Sequence, residues 1–375
     1  MRVLVDATAI PADLRGVGRY LDSLVPALVE TGVQLTVAAQ QRDAERFGAF
    51  GAEVATAAVP ADRARRLAWE QYGLPALARS VAPDVLHSPH YTFPLRWRGP
   101  LVVTVHDATF FSNPEWHTRV KGPFFRTATR LAVRRAQVCV VASQATASEL
   151  QHRLQVPAAR LQVAHLGVDT GVFRPPSAGA VRQVRAAVGL GPDEDYVTFL
   201  GTLEPRKNVP GLIRGWVAAC AARPNPPALV LAGGAGWETE LEAAVAAVPA
   251  GLRLLRPGYL PLEQLPALLG GATVVAYPSF GEGFGLPVLE AMACGAPTLT
   301  TRHLSLPEVG GDAVAYCDTE PAAIAGALAE LLDSPQRRAE LAAAGPARAA
   351  GFTWAATAAA HLRAYEHAVQ RARAA

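Results

Sequence analysis

Tyr277-Pro278-Ser279-Phe280-Gly281-Glu282-Gly283-Phe284-Gly285-Leu286-Pro287-Val288-Leu289-Glu290 changes character halfway along. Thr273–Tyr277 is a short apolar run that ends in a turn signal, the pattern of a buried strand. Three glycines follow. Then comes an apolar stretch in which Pro287 suits a first helical turn and Gly295 a helix end. A strand, a glycine-rich loop and a helix in this order form one unit of a parallel α/β sheet. Glu282 falls in the loop, and Glu290 follows eight residues on, about a turn into the helix. Both carboxylates can line one pocket beside the helix N-terminal amides. Paired carboxylates grip sugar hydroxyls, and the amides grip phosphate oxygens. A first-turn glutamate held by the helix dipole explains one acid, but not two acids and three glycines.

The same unit recurs on both sides of this stretch. Val3–Val5, Gln34–Ala39, Val85–Leu86, Leu101–Val105 and Gln137–Val141 read as strands of a first half. Val197–Leu200, Ala228–Ala232, Leu252–Leu255, Thr273–Tyr277 and Pro297–Thr300 read as strands of a second. Most of the intervening segments suit helices, so the expected fold is α/β, with two doubly wound, Rossmann-like domains. A linker composition around Val172–Gly191, including Pro175-Pro176-Ser177, places the boundary between residues 1–172 and 173–356. Open α/β sheets bind ligands at the carboxyl ends of their strands. Two such domains facing each other across a cleft would build the site between them.

Composition narrows the classes. At 375 residues, 50% hydrophobic and 18% charged, the chain can bury two cores and is not a disordered tail. No uninterrupted apolar run reaches membrane-spanning length, and Met1–Asp6 is too short an apolar start for a secretory signal. Cys139, Cys220, Cys294 and Cys317 are far apart and form no CxxC, which suits reduced thiols and a cytoplasmic location. Of the 35 basic residues only Lys121 and Lys207 are lysines. Residues 1–175 carry 20 basic against 14 acidic groups, net +6, and residues 176–375 carry 15 against 18, net −3. Neither half is basic enough for a dedicated nucleic-acid binder, though the first is biased toward an anionic partner.

Other strand-end loops carry further candidates. Gly16-Val17-Gly18-Arg19-Tyr20 leads into a helix, yet it lacks the third glycine of a dinucleotide fingerprint, which argues against NAD. It reads either as an anion-binding turn or as a plain flexible one. His106, in Thr104-Val105-His106-Asp107, ends a strand where an imidazole can meet a hydroxyl, or simply close a turn. His87 and His90, on either side of Pro89, read as loop packing. In Gly201-Thr202-Leu203-Glu204-Pro205-Arg206-Lys207-Asn208, adjacent cations after a strand suit a diphosphate, with a solvated pair as the plain alternative. Asp193-Glu194-Asp195 has the spacing of a metal–nucleotide motif but precedes its strand, the wrong end for a ligand, and reads as a solvated turn. No cluster at metal-ligand spacing stands out elsewhere.

Together these stretches resemble the retaining, nucleotide-sugar-dependent glycosyltransferases of GT-B fold, family 4 or group 1. The resemblance covers most of the chain, including Leu231–Gly234, Pro257–Leu260, the E-x7-E of Glu282 and Glu290, and Ser305–Val309. It implies that Arg206 and Lys207 hold the donor diphosphate and Glu290 the ribose. Glu282 and the amides of Gly283, Phe284 and Gly285 would hold the transferred sugar and distal phosphate. The backbone near Tyr259 would meet the base, and His106 the sugar and acceptor hydroxyl, while Gly16 and Gly18 would close over the phosphates. The last helix, 357–375, would pack back on the first domain. No cofactor beyond the donor and no metal is implied. The Gly16–Tyr20 and Val105–Asp107 pair is similar to bacterial mannosyltransferases of polysaccharide assembly. It therefore implies GDP-mannose and a glycan or lipid-linked acceptor. Arg119, Arg126, Arg130 and Arg134 on one helix face would suit peripheral contact with an anionic membrane, or form a solvated face. The alternatives are another GT-B chemistry, an epimerase or phosphorylase, and a non-catalytic sugar-nucleotide-binding protein. A pyridoxal-dependent phosphorylase needs a Schiff-base lysine, and Lys207 is already in the diphosphate motif.

Overall fold

β-Branched and apolar runs too short for helices build two parallel sheets. The computed structural model describes residues 1–10, 16–60 and 62–374. The chain divides into a unit of Met1–Gly167 with Thr353–Ala375 and a unit of Val168–Phe352. The division thus falls a few residues before each expected boundary.

The first sheet contains β1 (Arg2–Asp6), β2 (Gln34–Gln40), β3 (Glu53–Ala57), β4 (Val85–Ser88), β5 (Leu101–Val105), β6 (Val138–Val141) and β7 (Leu161–Val163), in the order β3-β2-β1-β4-β5-β6-β7. All its pairings are parallel. The chain winds outward from β1 to β3, then starts again at β4 and winds the other way. The carboxyl ends of β1 and β4 therefore flank a crossover point, where a doubly wound sheet leaves room for a ligand. Its core is aliphatic and continuous, with Leu4, Leu86, Val103, Val105 and Val141 all buried. The helix Trp354–Ala374 belongs to this unit and supplies the buried Ala358, Ala364, Tyr365 and Ala368.

The second sheet contains β8 (Tyr196–Leu200), β9 (Ala228–Ala232), β10 (Leu254–Gly258), β11 (Val274–Tyr277), β12 (Thr298–Thr301) and β13 (Ala315–Cys317), in the order β10-β9-β8-β11-β12-β13. Its pairings are parallel too, with the crossover between β8 and β11. Gly233, just past β9, has φ +134°, and a Cβ there would lie 2.1 Å from the Gly201 carbonyl oxygen. Only glycine lets the exits of β8 and β9 run this close. Asp193-Glu194-Asp195 lies at the amino end of β8. Glu194 accepts from the Gly191 amide at 2.9 Å, and Asp195 accepts from Thr273 at 2.8 Å. This turn is tied into the fold at the end of the strand away from the carboxyl-side loops.

No helix among the described residues is long and apolar enough to cross a membrane. Cys139, Cys220 and Cys294 are buried, which pushes their thiols up to about 12, 11 and 12.

Candidate active site

The loops after β8 and β11 are stitched together at the second unit's crossover. Pro205–Lys207 form one 3-10 turn, which Asn208 ends in the left-handed region at φ 54°. Asn208 Nδ2 donates to the carbonyls of Pro278 at 3.2 Å and Thr319 at 2.8 Å, and the Phe280 amide donates to the Arg206 carbonyl at 2.9 Å. Ser305 Oγ donates to the carbonyls of Glu282 and Phe284 at 2.8 and 2.7 Å, pinning the glycine-rich loop from the far side. Gly285, at φ +111°, then caps the helix Leu286–Ala293, a conformation that disfavours a side chain.

This scaffold brings Arg206, Lys207 and Glu282 into one ion cluster. Lys207 Nζ donates to Glu282 Oε1 at 2.6 Å and to the Tyr277 hydroxyl. Arg206 donates to Glu282 Oε2, to the Gly281 carbonyl at 2.9 Å and to Glu204 at 2.7 Å. Lys207 and Glu282 are only 7% and 6% exposed, so their attraction is weakly screened. Burial alone would raise the Glu282 carboxyl, but Arg206 and Lys207 reverse this and hold it at about 2. Burial pushes the Lys207 ammonium down, against the pull of Glu282. Tyr277 packs flat on Phe199, with ring centroids 5.4 Å apart, and burial pushes its hydroxyl well above the usual range. It therefore serves Lys207 as a neutral hydroxyl.

Glu290 lies on the helix Leu286–Ala293 and is 2% exposed, and Phe284 is buried against Phe352. Tyr259, just past β10, is 60% exposed. Sequence reasoning assigned no site role to Tyr277, a strand end, or to Ser305, which entered only as part of the resembling stretch Ser305–Val309. Their hydroxyls acquire a role only when distant loops meet.

In the first unit His106 leaves the end of β5. Its Nε2 lies 2.8 Å from the Pro89 carbonyl and so carries the proton, leaving Nδ1 as the ring's acceptor nitrogen. Burial outweighs that bond and pushes the imidazole down to about 4, so it is neutral at pH 7. The edge of the Tyr20 ring packs against it, centroids 4.9 Å apart. Tyr20 belongs to a buried polar chain. Tyr365 Oη meets His87 Nδ1 at 2.9 Å, and His87 Nε2 meets Thr104 Oγ1 at 2.8 Å. Thr104 Oγ1 lies 3.4 Å from Tyr20 Oη, which meets His361 Nε2 at 2.6 Å, and His361 Nδ1 donates to the Thr357 carbonyl at 2.8 Å. His87 is thus a member of this chain and not merely loop packing. Gly16 caps the helix Val17–Glu30 at φ 48°, and Gly18 lies buried in its first turn. Arg119 precedes the helix Lys121–Arg135 and does not lie on it, while Arg126, Arg130 and Arg134 do. Phe125 points inward, 5.0 Å from Tyr91 between ring centroids.

Known proteins match this architecture along the whole chain. The family "Glycosyltransferase Family 4" matches residues 14–172, and "Glycosyl transferases group 1" matches residues 181–348. The chain is 32% identical to O-antigen chain mannosyltransferase B of Escherichia coli over 77% of its own length and 74% of that protein's. It is 35% identical to D-inositol 3-phosphate glycosyltransferase of Mycobacterium avium over 73% of its own length, and spans 66% of that relative. The solved sucrose-phosphate synthase of Thermosynechococcus elongatus superimposes with a TM-score of 0.77 at 19% identity, covering all of both chains. That likeness identifies the fold as GT-B, and the sequence matches establish that the chain belongs to the group 1, family 4 glycosyltransferases.

Proposed function

We propose that this glycosyltransferase moves a hexose from a nucleotide sugar to a glycan or lipid-linked acceptor, with retention of anomeric configuration. The observation that carries the reading is the convergence of Arg206, Lys207 and Glu282 at the second unit's crossover. When the anomeric C–O bond breaks, negative charge grows on the departing diphosphate. Fixed cations in a dry site stabilise such charge strongly, so no metal is needed at the diphosphate. Arg206 has five N–H donors and Lys207 three, enough to hold phosphate oxygens while Glu282 keeps both side chains in register. Both Glu282 oxygens are engaged and its carboxyl titrates at about 2, which suits an orienting group better than a covalent nucleophile. The leaving phosphate oxygen would take the acceptor's proton on the same face. Glu290 would bind the ribose, the amides of Gly283, Phe284 and Gly285 the distal phosphate, and the backbone near Tyr259 the base. His106, neutral and with Nδ1 bare, would accept a hydrogen bond from a hydroxyl of the sugar or acceptor. Gly16 and Gly18 would approach the phosphates.

The O-antigen chain mannosyltransferase relative supports mannose as the sugar and a polysaccharide chain as the acceptor class, and we take GDP-mannose as the donor from the resemblance of the Gly16–Tyr20 and Val105–Asp107 loops. The inositol-phosphate relative supports a second reading, in which the acceptor is a phosphorylated polyol. The test is a panel of nucleotide sugars, read by thermal shift and then by mass spectrometry with each acceptor class. GDP-mannose should raise the melting midpoint most and yield a mannosylated product. A larger shift and turnover with a uridine donor would overturn the donor assignment, and donor binding with no diphosphate release from any acceptor would favour the non-catalytic alternative.

Peripheral contact with the inner membrane face rests on the helix Lys121–Arg135. Arg130, Leu131 and Arg134 are exposed on it and Arg119 and Val120 just before it, with Val120 at 79% and Leu131 at 41%. Cations beside exposed apolar groups suit an anionic bilayer surface. The protein should co-sediment with vesicles containing phosphatidylglycerol and not with neutral ones. Equal recovery with both would remove the idea.

A further inference from the structure

The first unit has a crossover point of its own, between β1 and β4, and three side chains converge there that the transfer reaction does not use. Asp6 ends β1, His90 lies just past β4, and Glu70 reaches in from the helix Arg63–Val81. The Asp6 and Glu70 side chains are fully buried and that of His90 is 12% exposed. One ligand atom from each lies within 4.8 Å of the other two. Nothing in the sequence marks the set, because its members come from three separate segments.

The surroundings hold two of these groups in place from behind. Asp6 Oδ1 accepts from the Thr8 amide at 3.0 Å and from the Thr8 hydroxyl at 2.6 Å. Glu70 Oε2 accepts from Thr92 at 2.7 Å and from Arg66 at 3.3 Å, and Oε1 accepts from Gln71 at 3.1 Å. Yet Asp6 Oδ2 and His90 Nδ1 are buried with no hydrogen-bond partner among the described residues. An unpaired, fully buried carboxylate oxygen is costly unless something positive meets it.

The spacings decide what that is. His90 Nε2 lies 3.5 Å from Glu70 Oε2 and 3.9 Å from Asp6 Oδ2. Charge-assisted hydrogen bonds are much shorter, about 2.8 Å. Ligand atoms bound at about 2.1 Å around one ion stand roughly 3.0–3.4 Å apart, so an inward movement lets all three bind one ion, with solvent supplying the remaining ligands. We propose that Asp6, Glu70 and His90 form a binding site for one divalent cation of the zinc or manganese class. An imidazole among carboxylates selects these ions over calcium or magnesium. The hydrogen bonds from Thr8, Thr92 and Arg66 then act as the outer support that orients metal-binding carboxylates. The ion ties β1, the helix Arg63–Val81 and the loop after β4 together. That loop includes Pro89, whose carbonyl fixes the tautomer of His106.

The test uses the full chain, stripped with a chelator and titrated with Zn2+ or Mn2+ by calorimetry. The expected result is one equivalent bound, a higher melting midpoint with the ion and reversal by chelator. Asp6→Asn and His90→Gln should each lower affinity at least tenfold while keeping the native circular dichroism spectrum. Absence of saturable uptake by the unmodified protein, or unchanged affinity in both variants, overturns the site. Crystals soaked in Mn2+ decide without any variant. An anomalous peak at the three side chains supports the proposal, and a peak elsewhere or no peak overturns it.

Discussion

Lys207→Ala should lower the rate of diphosphate release roughly 10²–10³-fold, the usual cost of removing one fixed charge donor from a developing anion. The reason is local. Lys207 is buried, held by Glu282 and Tyr277, and therefore already aimed before any substrate arrives. Loss of a pre-aimed cation acts on the transition state more than on binding, so the turnover number should fall more than the donor affinity. The fold should survive, because Glu282 keeps its bonds to Arg206 and the loop keeps those to Asn208 and Ser305. Glu290→Ala should likewise abolish transfer, through loss of the ribose contact and not of the cation cluster. The measurement is steady-state turnover with the donor identified by the panel, beside a circular dichroism melt. Wild-type turnover in either variant would show that the site has been assigned to the wrong residues.

The second large effect is on stability in mild acid. His87 and His361 are fully buried and His106 is half-buried, and removal from water pushes all three imidazoles below 6.5, His106 and His361 to about 4. An unfolded chain would bind protons on these rings near pH 6.5, whereas the folded chain resists until much lower pH. The stabilisation is therefore complete above about pH 6.5 and is lost as the pH falls toward 4. A shift of that size corresponds to about 3 kcal/mol for one ring. Protonation also breaks the polar chain, because His361 Nε2 can no longer accept from Tyr20. Glu282 acts in a different window, since its carboxyl lies at about 2 and its contribution starts to fall only below about pH 4.5. Urea unfolding followed by fluorescence between pH 7 and 5 isolates the histidines. A loss of several kcal/mol is expected, and a flat profile over that range would rule out the neutral, buried set.

Much of this was legible in the order of residues, and the gaps have a common cause. Nine of the ten strands read from sequence are inner strands and mostly apolar on both faces, as a covered parallel sheet requires, and the tenth, β10, lies at an edge. The three that went unread, β3, β7 and β13, are all edge strands. Their sequences, Glu-Val-Ala-Thr-Ala, Leu-Gln-Val and Ala-Tyr-Cys, are only partly buried; polar residues interrupt the first two, and the third is only three residues long. The same divide runs through the candidate site residues. Arg206, Lys207, Glu282 and Glu290 sit in two contiguous motifs, so their place at strand ends and the family resemblance together marked them. Tyr277 looked like the last residue of a strand until its hydroxyl met Lys207 across 70 positions. Asp6, Glu70 and His90 share no local pattern, and only the reversal of winding direction at β1 and β4 brings them together.

The first unit is discontinuous along the chain, and this sets an order of events during synthesis. Residues 168–352 hold a whole sheet and its helices, so a growing polypeptide can complete that body while the earlier one is still unfinished. Until residues 353–374 leave the ribosome, Tyr20 lacks His361 and His87 lacks Tyr365, both in the interior. The part translated first is thus the part sealed last, and the nascent chain must shelter an open, half-polar core for nearly the whole time the second body takes to form.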